Sequence, residues 1–117
     1  MYKLLADIPK GNSWQVEEEG APKYVLRKDY DGKFAKFGQM ISVKLPFSNE
    51  MYSEPLCNIE YVISVASRYG LDLEQNSSMD TYMEKFKKAD RGLYDRLTAD
   101  DIFYNSLHSF VTLRKIK

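Results

Sequence analysis

Apolar and polar positions alternate with the period of a β-strand in the first half of the chain. The alternation predicts strands at residues 14–17, 24–28 and 40–45, because successive side chains of a strand face opposite sides of its sheet. The sequence Glu-Gly-Ala-Pro between the first two strands is typical of a hairpin turn. Pro46 ends the third strand, since proline cannot donate to a strand ladder. We therefore expect three strands in this half.

The spacing becomes that of a helix from residue 56 onward. Ser53 is expected to cap this helix, and Glu54 and Pro55 to occupy its first turn. A small polar cap, an acid and a proline are all favoured at a helix N-terminus. Gly70 is expected to end the helix. Its apolar face consists of Leu56, Ile59, Val62, Ile63 and Ala66.

Shorter elements complete the predicted order. An apolar stripe near the first residue fits the tail of a helix, which we expect to be the remnant of a longer one. After Gly70 we expect a short strand at residues 71–73 and then a helix capped by Ser77 or Ser78. A capping box of Thr98 and Asp101 predicts another short helix, ending near residue 105. The last element is a strand at residues 107–113, and an antiparallel orientation would suit its short helical connection.

Composition narrows the class of protein. The 117 residues include 17 Lys plus Arg and 17 Asp plus Glu, whereas a protein that binds long nucleic acid regardless of sequence usually has a basic excess. Recognition of one small piece of nucleic acid stays open. Cys57 is the only cysteine and His108 the only histidine, which excludes an internal disulfide and a Cys/His zinc cluster. No apolar run reaches the roughly 20 residues of a membrane span, so we expect an intracellular protein without a membrane partner.

Charge clusters and short motifs add little by themselves. Lys33, Lys36 and Lys44 form a basic group and residues 17–19 an acidic one, and each is more simply interpreted as a solvated surface. The pair at residues 100–101 is more simply interpreted as favourable charge at a helix N-terminus. The sequence contains no Gly-x-Gly-x-x-Gly, phosphate-loop, Gly-x-Ser-x-Gly or His-Glu-x-x-His motif.

One long segment combines Phe37-Gly38, the alternating residues 41–45 and the run Ser53-Glu54-Pro55-Leu56. This order and spacing resembles that of mRNA cap guanine-N(7)-methyltransferases. The likeness is greatest to the capping enzymes of large DNA viruses, where a Leu-Pro-Phe and a Tyr-x-Glu-Pro-Leu-x-Asn pattern also occur. It continues through residues 70–73 and the predicted helix with Tyr82 and Phe86 to the closing strand, and so covers essentially the whole chain.

The resemblance implies an α/β fold class, here an α+β fragment. It would be the C-terminal part of a Rossmann-like S-adenosylmethionine-dependent methyltransferase fold with an inserted antiparallel cap-side sheet. Residues 1–117 would form a single partial methyltransferase domain. Within it, residues 1–11 would be a helix remnant, residues 12–47 the cap-side strands and residues 48–117 the end of the Rossmann-like sheet.

The same resemblance implies cap-binding residues. Glu54 would accept both neighbouring N–H donors of the guanine Watson–Crick edge, and a first-turn position would favour its charge. An ordinary first-turn glutamate is the alternative. His108, or Tyr104 close by, would hold the guanine, although a strand residue on a solvent face is the alternative for His108. Phe47 and Tyr52 would cover the cap, unless they serve core or loop packing.

The resemblance implies no catalytic or metal-binding side chain. Guanine N7 has a free lone pair and the sulfonium donor is already activated, so alignment supplies most of the rate. S-adenosylmethionine would be bound by a portion absent from this chain, which would then be inactive alone. The partners would be the capped 5′ end of mRNA and the remaining methyltransferase half or capping-enzyme subunits, in a host-cell cytoplasm or a virion.

Two alternatives to a methyltransferase portion stay open. One is a non-catalytic regulatory or interaction module of a capping complex. The other is an unrelated small α+β binding domain whose likeness to the family is accidental. An exposed apolar sheet edge would favour the first, and a self-contained core without an open edge the second.

Overall fold

The computed structural model describes residues 1–32 and 35–116, and the chain divides into two compact units, Met1–Val62 and Ile63–Lys117. The first contains α1 (Tyr2–Leu5), β1 (Ser13–Glu18), β2 (Ala21–Lys28), β3 (Met40–Lys44) and β4 (Tyr52–Pro55). Helix α2 (Ile59–Arg68) spans the boundary. The second contains β5 (Leu71–Ser78), α3 (Asp80–Ala89), α4 (Arg91–Tyr94), α5 (Ala99–Ser106) and β6 (Ser109–Lys115).

The first unit is built on a four-stranded antiparallel sheet in the order β1-β2-β3-β4. Only Glu19 and Gly20 separate β1 from β2, and both have positive φ, at 55° and 80°. A two-residue turn of this kind has a twist that matches the flanking strands. The predicted hairpin is therefore confirmed, and so are the three predicted strands, to within three residues at each end.

The core of the first unit lies on one face of this sheet. Leu26 and Val43 are cross-strand partners, and Ile41 shares their face because it lies two residues from Val43. These three side chains and that of Leu5 in α1 are at most 2% exposed. Burying an aliphatic side chain stabilises a fold by about 1.5–3 kcal/mol, so this face holds the unit together.

The opposite face has a polar network between β2 and β3. Arg27 Nε donates to Asp29 Oδ1 at 2.8 Å, and Arg27 Nη2 donates to Ser42 Oγ at 3.0 Å. The Ser42 hydroxyl donates in turn to Asp29 Oδ2. The hydrogen bond from Arg27, and after it that from Ser42, holds the pKa of the Asp29 carboxyl below its usual range, against the opposing effect of desolvation. Arg27 and Ser42 are register partners, so the network ties the two central strands together.

Lys28 is a buried cation at the end of β2. Its side chain is on the core face by alternation with Leu26, and the residue is only 5% exposed. Lys28 Nζ donates to the Ala6 carbonyl at 3.3 Å and lies 4.8 Å from the centre of the Tyr30 ring. Burial of that ring raises the pKa of Tyr30. The ammonium group therefore ties the chain just after α1 to the sheet, partly through attraction to an aromatic face.

The structure adds a fourth strand where the sequence predicted the start of a helix. The expectation that Ser53 caps the long helix, with Glu54 and Pro55 in its first turn, is wrong, since all three belong to β4 and pair with β3. The Leu56 N–H extends this ladder by donating to the Gln39 carbonyl at 2.7 Å. Proline is tolerated in β4 because the strand lies at an edge of the described sheet.

Asn58 begins α2 instead of Ser53. Asn58 Oδ1 accepts from the Tyr61 N–H at 3.2 Å, and the Asn58 carbonyl accepts from the Val62 N–H at 3.1 Å. Asparagine and serine are comparable N-caps, so local preference could not choose between them. Gly70 lies just beyond the helix with a φ of 78°, and so ends it as predicted.

The second unit contains an antiparallel pair of strands, β5 and β6. The predicted antiparallel orientation of the last strand is confirmed, but β5 is longer than predicted because it continues past an irregularity at Glu74 to Ser78. The Thr98–Asp101 capping box is also confirmed, at 2.9 Å and 3.2 Å. Helix α4, whose first turn is capped by Asp90, was not predicted.

The observed fold class is α+β with antiparallel sheets. Continuation of the β5–β6 pair into a Rossmann-like sheet stays a prediction, as does the assignment of the chain to a single partial methyltransferase domain. The strands expected to form the cap-side sheet do form one sheet, and that sheet extends to β4.

Candidate functional site

Glu54 lies on β4, at an edge of the first sheet. Its register partner is Ile41, a buried core residue, while Glu54 itself is exposed. Among the residues that the structure describes, no hydrogen bond or ion pair engages its carboxylate. The backbone thus positions the carboxylate through the ladder, and both oxygens remain accessible to a ligand.

Tyr52 and Phe47 lie close to Glu54 along the chain. Tyr52 is two residues earlier on β4, so its ring leaves the same face of the sheet roughly 7 Å away along the strand, and the residue is 42% exposed. Phe47, in the connection from β3 to β4, is 85% exposed. That connection is folded as a turn, in which the Ser48 N–H donates to the Leu45 carbonyl at 3.0 Å. Tyr52 is the register partner of the buried Val43, so its ring leaves the core face at the sheet edge. The cap-covering role and the packing alternative for these two residues both stay predictions.

A carboxylate and an aromatic ring on one strand face suit a planar ligand with two adjacent N–H donors. The ring can stack on such a ligand while the carboxylate accepts from its edge. The expectation that a first-turn position favours the charge of Glu54 is wrong, because the residue is in a strand and not at a helix N-terminus. Recognition here would depend on hydrogen bonding and stacking.

Tyr104 and His108 form a second aromatic pair, in the second unit. Their ring centres are 5.0 Å apart at an interplanar angle of 64°, an edge-to-face contact. His108 Nδ1 lies 3.0 Å from the Tyr104 carbonyl oxygen. A carbonyl only accepts, so Nδ1 holds a proton and Nε2 points elsewhere. His108 precedes β6, which begins at Ser109, so its expected position within the closing strand is wrong.

The structure therefore groups the predicted site residues in two sets. Glu54 and Tyr52 share one face of β4, with Phe47 in the loop before them. Tyr104 and His108 touch each other at the end of α5. These two residues are alternative predictions for the same cap contact, and together they form a single small surface. The two sets belong to different compact units of the chain.

A further aromatic and basic cluster was missed from the sequence. The ring centres of Phe37 and Tyr61 are 6.1 Å apart, and Lys36 Nζ lies 5.7 Å from the centre of the Tyr61 ring. Phe37 is 73% exposed. The adjacency of Lys36 and Phe37 was the only local signal, since Tyr61 is distant along the chain. Gln39, two residues after Phe37, is buried and its Oε1 has no hydrogen-bond partner in the described structure.

Within residues 1–32 and 35–116, no three His, Cys, Asp or Glu side chains are grouped so that they could hold a metal ion. A Gly-rich loop after a strand would be expected around S-adenosylmethionine. The described glycines with positive φ, at residues 11, 20, 32, 38 and 70, are single and widely spaced along the chain, so they do not form such a loop. No helix in the same part of the chain has the length and apolar character needed to cross a membrane.

Comparison with known proteins reveals viral relatives. The chain is 32% identical over 104 residues, 87% of its length, to proteins named mRNA-capping enzyme from African swine fever virus isolates Tick/South Africa/Pretoriuskop Pr4/1996 and Warthog/Namibia/Wart80/1980 and strain Badajoz 1971 Vero-adapted. The chain spans 12% of the length of these relatives. No protein-family model matches it. The predicted resemblance to viral mRNA-capping enzymes is confirmed at that level, and an accidental likeness is excluded by the extent of the match.

Proposed function

We propose that this chain is the cap-recognising portion of an mRNA cap guanine-N(7)-methyltransferase, which transfers a methyl group from S-adenosylmethionine to the cap guanine. The observation that supports this proposal is the exposed carboxylate of Glu54, which no described residue engages, within a region similar to viral mRNA-capping enzymes. Because the chain spans 12% of its relatives' length, the activity and the capped-RNA partner of the whole protein are part of the proposal.

Glu54 would identify the base as guanine. The Watson–Crick edge of guanine presents two adjacent N–H donors, and the two oxygens of a carboxylate accept both. A bidentate contact of this kind discriminates against the wrong base by about 1–3 kcal/mol. Adenine presents a ring-nitrogen acceptor on the same edge, which would face the carboxylate without a proton between them.

The aromatic side chains would hold the plane of the base. Tyr52 shares the strand face of Glu54, so its ring can cover a base whose edge meets the carboxylate. Phe47 is exposed in the adjoining loop and could close over the same ligand. Methylation at N7 gives guanine a positive charge, and an aromatic face attracts a cation. Tyr104 and His108 would offer a second stacking surface, on the strength of the family resemblance and of their mutual contact.

S-adenosylmethionine would supply an activated methyl group that needs no catalytic base from this chain. The proposed role of the described residues is to bind and orient the cap. Residues elsewhere in the full protein, or in a partner subunit, would hold the donor in line with guanine N7. The contribution of this chain would then be alignment of the acceptor.

One observation favours a second candidate function, a non-catalytic interaction module of a capping complex. In the described structure β5 and β6 pair only with each other, which leaves an outer edge on each strand. Leu73 on β5 is 46% exposed. Open strand edges favour association with another chain or segment, so a structural role beside a catalytic partner is the alternative to cap recognition.

The proposal is tested by titrating the 117-residue chain with an unmethylated and an N7-methylated cap analogue. Trp14 and tyrosine fluorescence would report binding, because Trp14 lies on the strand face that also includes Tyr52. We expect Glu54→Gln, which replaces one acceptor oxygen by an amide donor, to weaken binding of both analogues by roughly tenfold to hundredfold.

Glu50→Gln is the matched control, because it makes the same chemical change at an exposed residue in the connection before β4. It should leave affinity within twofold of the unaltered chain. Binding that Glu54→Gln leaves unchanged would refute the assignment of the guanine contact. No binding of either analogue by the unaltered chain, both alone and with an added donor-binding half, would favour the interaction module.

A further inference from the structure

We infer that Lys36, Phe37 and Tyr61 form a subsite for a nucleotide of single-stranded RNA that follows the cap. The inference rests on the proposed function, in which Glu54 binds the cap guanine. It assigns a binding position to the transcript end of the same ligand. The cluster lies in the same compact unit as Glu54. Its two rings are 6.1 Å apart, and its ammonium group is 5.7 Å from the Tyr61 ring centre.

Hydrogen bonds to the backbone around Phe37 fix the segment that exposes its side chain. The Asn58 side chain donates to the Ala35 carbonyl at 3.0 Å, and Gln39 Nε2 donates to the Phe37 carbonyl at 2.9 Å. The Gln39 carbonyl accepts from the Leu56 N–H at 2.7 Å. These three bonds position the chain on both sides of Phe37 while its side chain is 73% exposed. A ring that is presented in this way is preorganised to stack on a ligand.

The chemistry of the cluster matches one nucleotide. Every nucleobase offers an aromatic face to a ring such as that of Phe37, and a phosphate offers negative charge to Lys36. Tyr61 is half-buried and supports both groups from one side, through a tilted ring contact with Phe37 and a cation–ring contact with Lys36. The chain has no net charge, so a single stacked nucleotide fits better than a long polyanion.

Two residues of the cluster, Lys36 and Phe37, shortly precede β3, the strand that pairs with Glu54. Ile41 is the register partner of Glu54, and Phe37 is four residues before Ile41 on the same segment. The two positions are thus separated along this segment by no more than about 14 Å. A capped RNA 5′ end has its guanine and its first transcript nucleotides joined by a flexible triphosphate bridge, so one ligand can reach both positions.

The test measures binding of a short 3′-labelled RNA, uncapped and capped, to the 117-residue chain by fluorescence anisotropy. We expect Phe37→Ala to weaken binding of both RNAs by about tenfold, and Phe37→Trp to restore it because stacking area is retained. Lys36→Gln should weaken binding and reduce its dependence on salt. Tyr69→Ala is the matched control, since that ring is 80% exposed in the second unit and should have no effect.

The outcomes separate this subsite from the guanine contact. A cap analogue without transcript nucleotides should bind Phe37→Ala as it binds the unaltered chain, while Glu54→Gln weakens it. RNA binding that depends on Phe37, without any effect of Glu54→Gln, would support the subsite and remove the guanine contact. If Phe37→Ala binds both RNAs as tightly as Tyr69→Ala does, or if the unaltered chain does not bind uncapped RNA, the subsite is overturned.

Discussion

Removal of the Ser42 hydroxyl tests how the central strands of the first sheet are held together. Ser42 lies on β3 and is 3% exposed. Its hydroxyl accepts from Arg27 at 3.0 Å and donates to Asp29, so it joins both members of an ion pair. We expect Ser42→Ala to lower the free energy of unfolding without moving the backbone, since alanine fits the same space.

The size of this effect follows from the exposure of the two partners. A hydrogen bond to a charged group contributes about 1.5–3 kcal/mol. The Arg27 side chain is 45% exposed, so water can replace the bond that it loses, whereas the Asp29 side chain is only 22% exposed. Most of the loss therefore comes from the bond to Asp29, and we expect a total of about 2 kcal/mol at pH 7.

Urea unfolding followed by Trp14 fluorescence measures this difference, because Trp14 lies on β1 of the same unit. The matched comparison is Ser42→Ala in an Asp29→Asn background. Without the carboxylate, the bond between Ser42 and residue 29 joins two neutral groups, and the cost of Ser42→Ala should fall below about 1 kcal/mol. An equal cost in both backgrounds, or a cost near zero in the native background, would refute the role of Asp29.

Two further predictions concern pH and helix capping. The pKa of Asp29 is lower in the folded chain than when it is unfolded, so the unfolded chain binds more protons in acid. The stabilising contribution of Asp29 is complete above about pH 4 and is lost as the pH falls through the lowered pKa. Unfolding followed by Trp14 fluorescence should therefore show that Asp29→Asn loses less stability in acid than the unaltered chain does. Equal losses in the two chains would contradict this. Thr98→Ala should cost about 1 kcal/mol by removing the α5 cap, as measured by circular dichroism in urea, whereas Thr98→Ser should retain most of it and equal losses would exclude the cap.

In the proposed site, the carboxylate that would select the base is on an edge strand. The ladder to β3 positions the backbone of Glu54, and the buried Ile41 beside it keeps that ladder in register. The side chain itself stays in solvent and has no described partner to displace. Binding a guanine would therefore require little rearrangement of the chain, which limits the entropic cost of association.

The sequence by itself determined the elements that depend on residues close together along the chain. The segment Glu-Gly-Ala-Pro predicted a hairpin turn and Thr98 with Asp101 predicted a capping box, because a turn glycine and a capping side chain each have a local backbone or hydrogen-bonding preference. The alternating pattern of β3 specified a strand whose apolar side faces a core. Family resemblance also singled out Glu54 before its geometry was known.

Only the tertiary structure decided where Glu54 lies. Serine, glutamate and proline are weak strand formers and good first-turn residues, so local preference favoured a helix. Pairing of Glu54 with Ile41, which is distant along the chain, outweighed that preference, and Asn58 is the N-cap of the helix instead. The contact of Phe37 with Tyr61 depends in the same way on residues that folding brings together. The periodicity of apolar residues describes one segment at a time, whereas a strand ladder or a ring contact is a property of two segments.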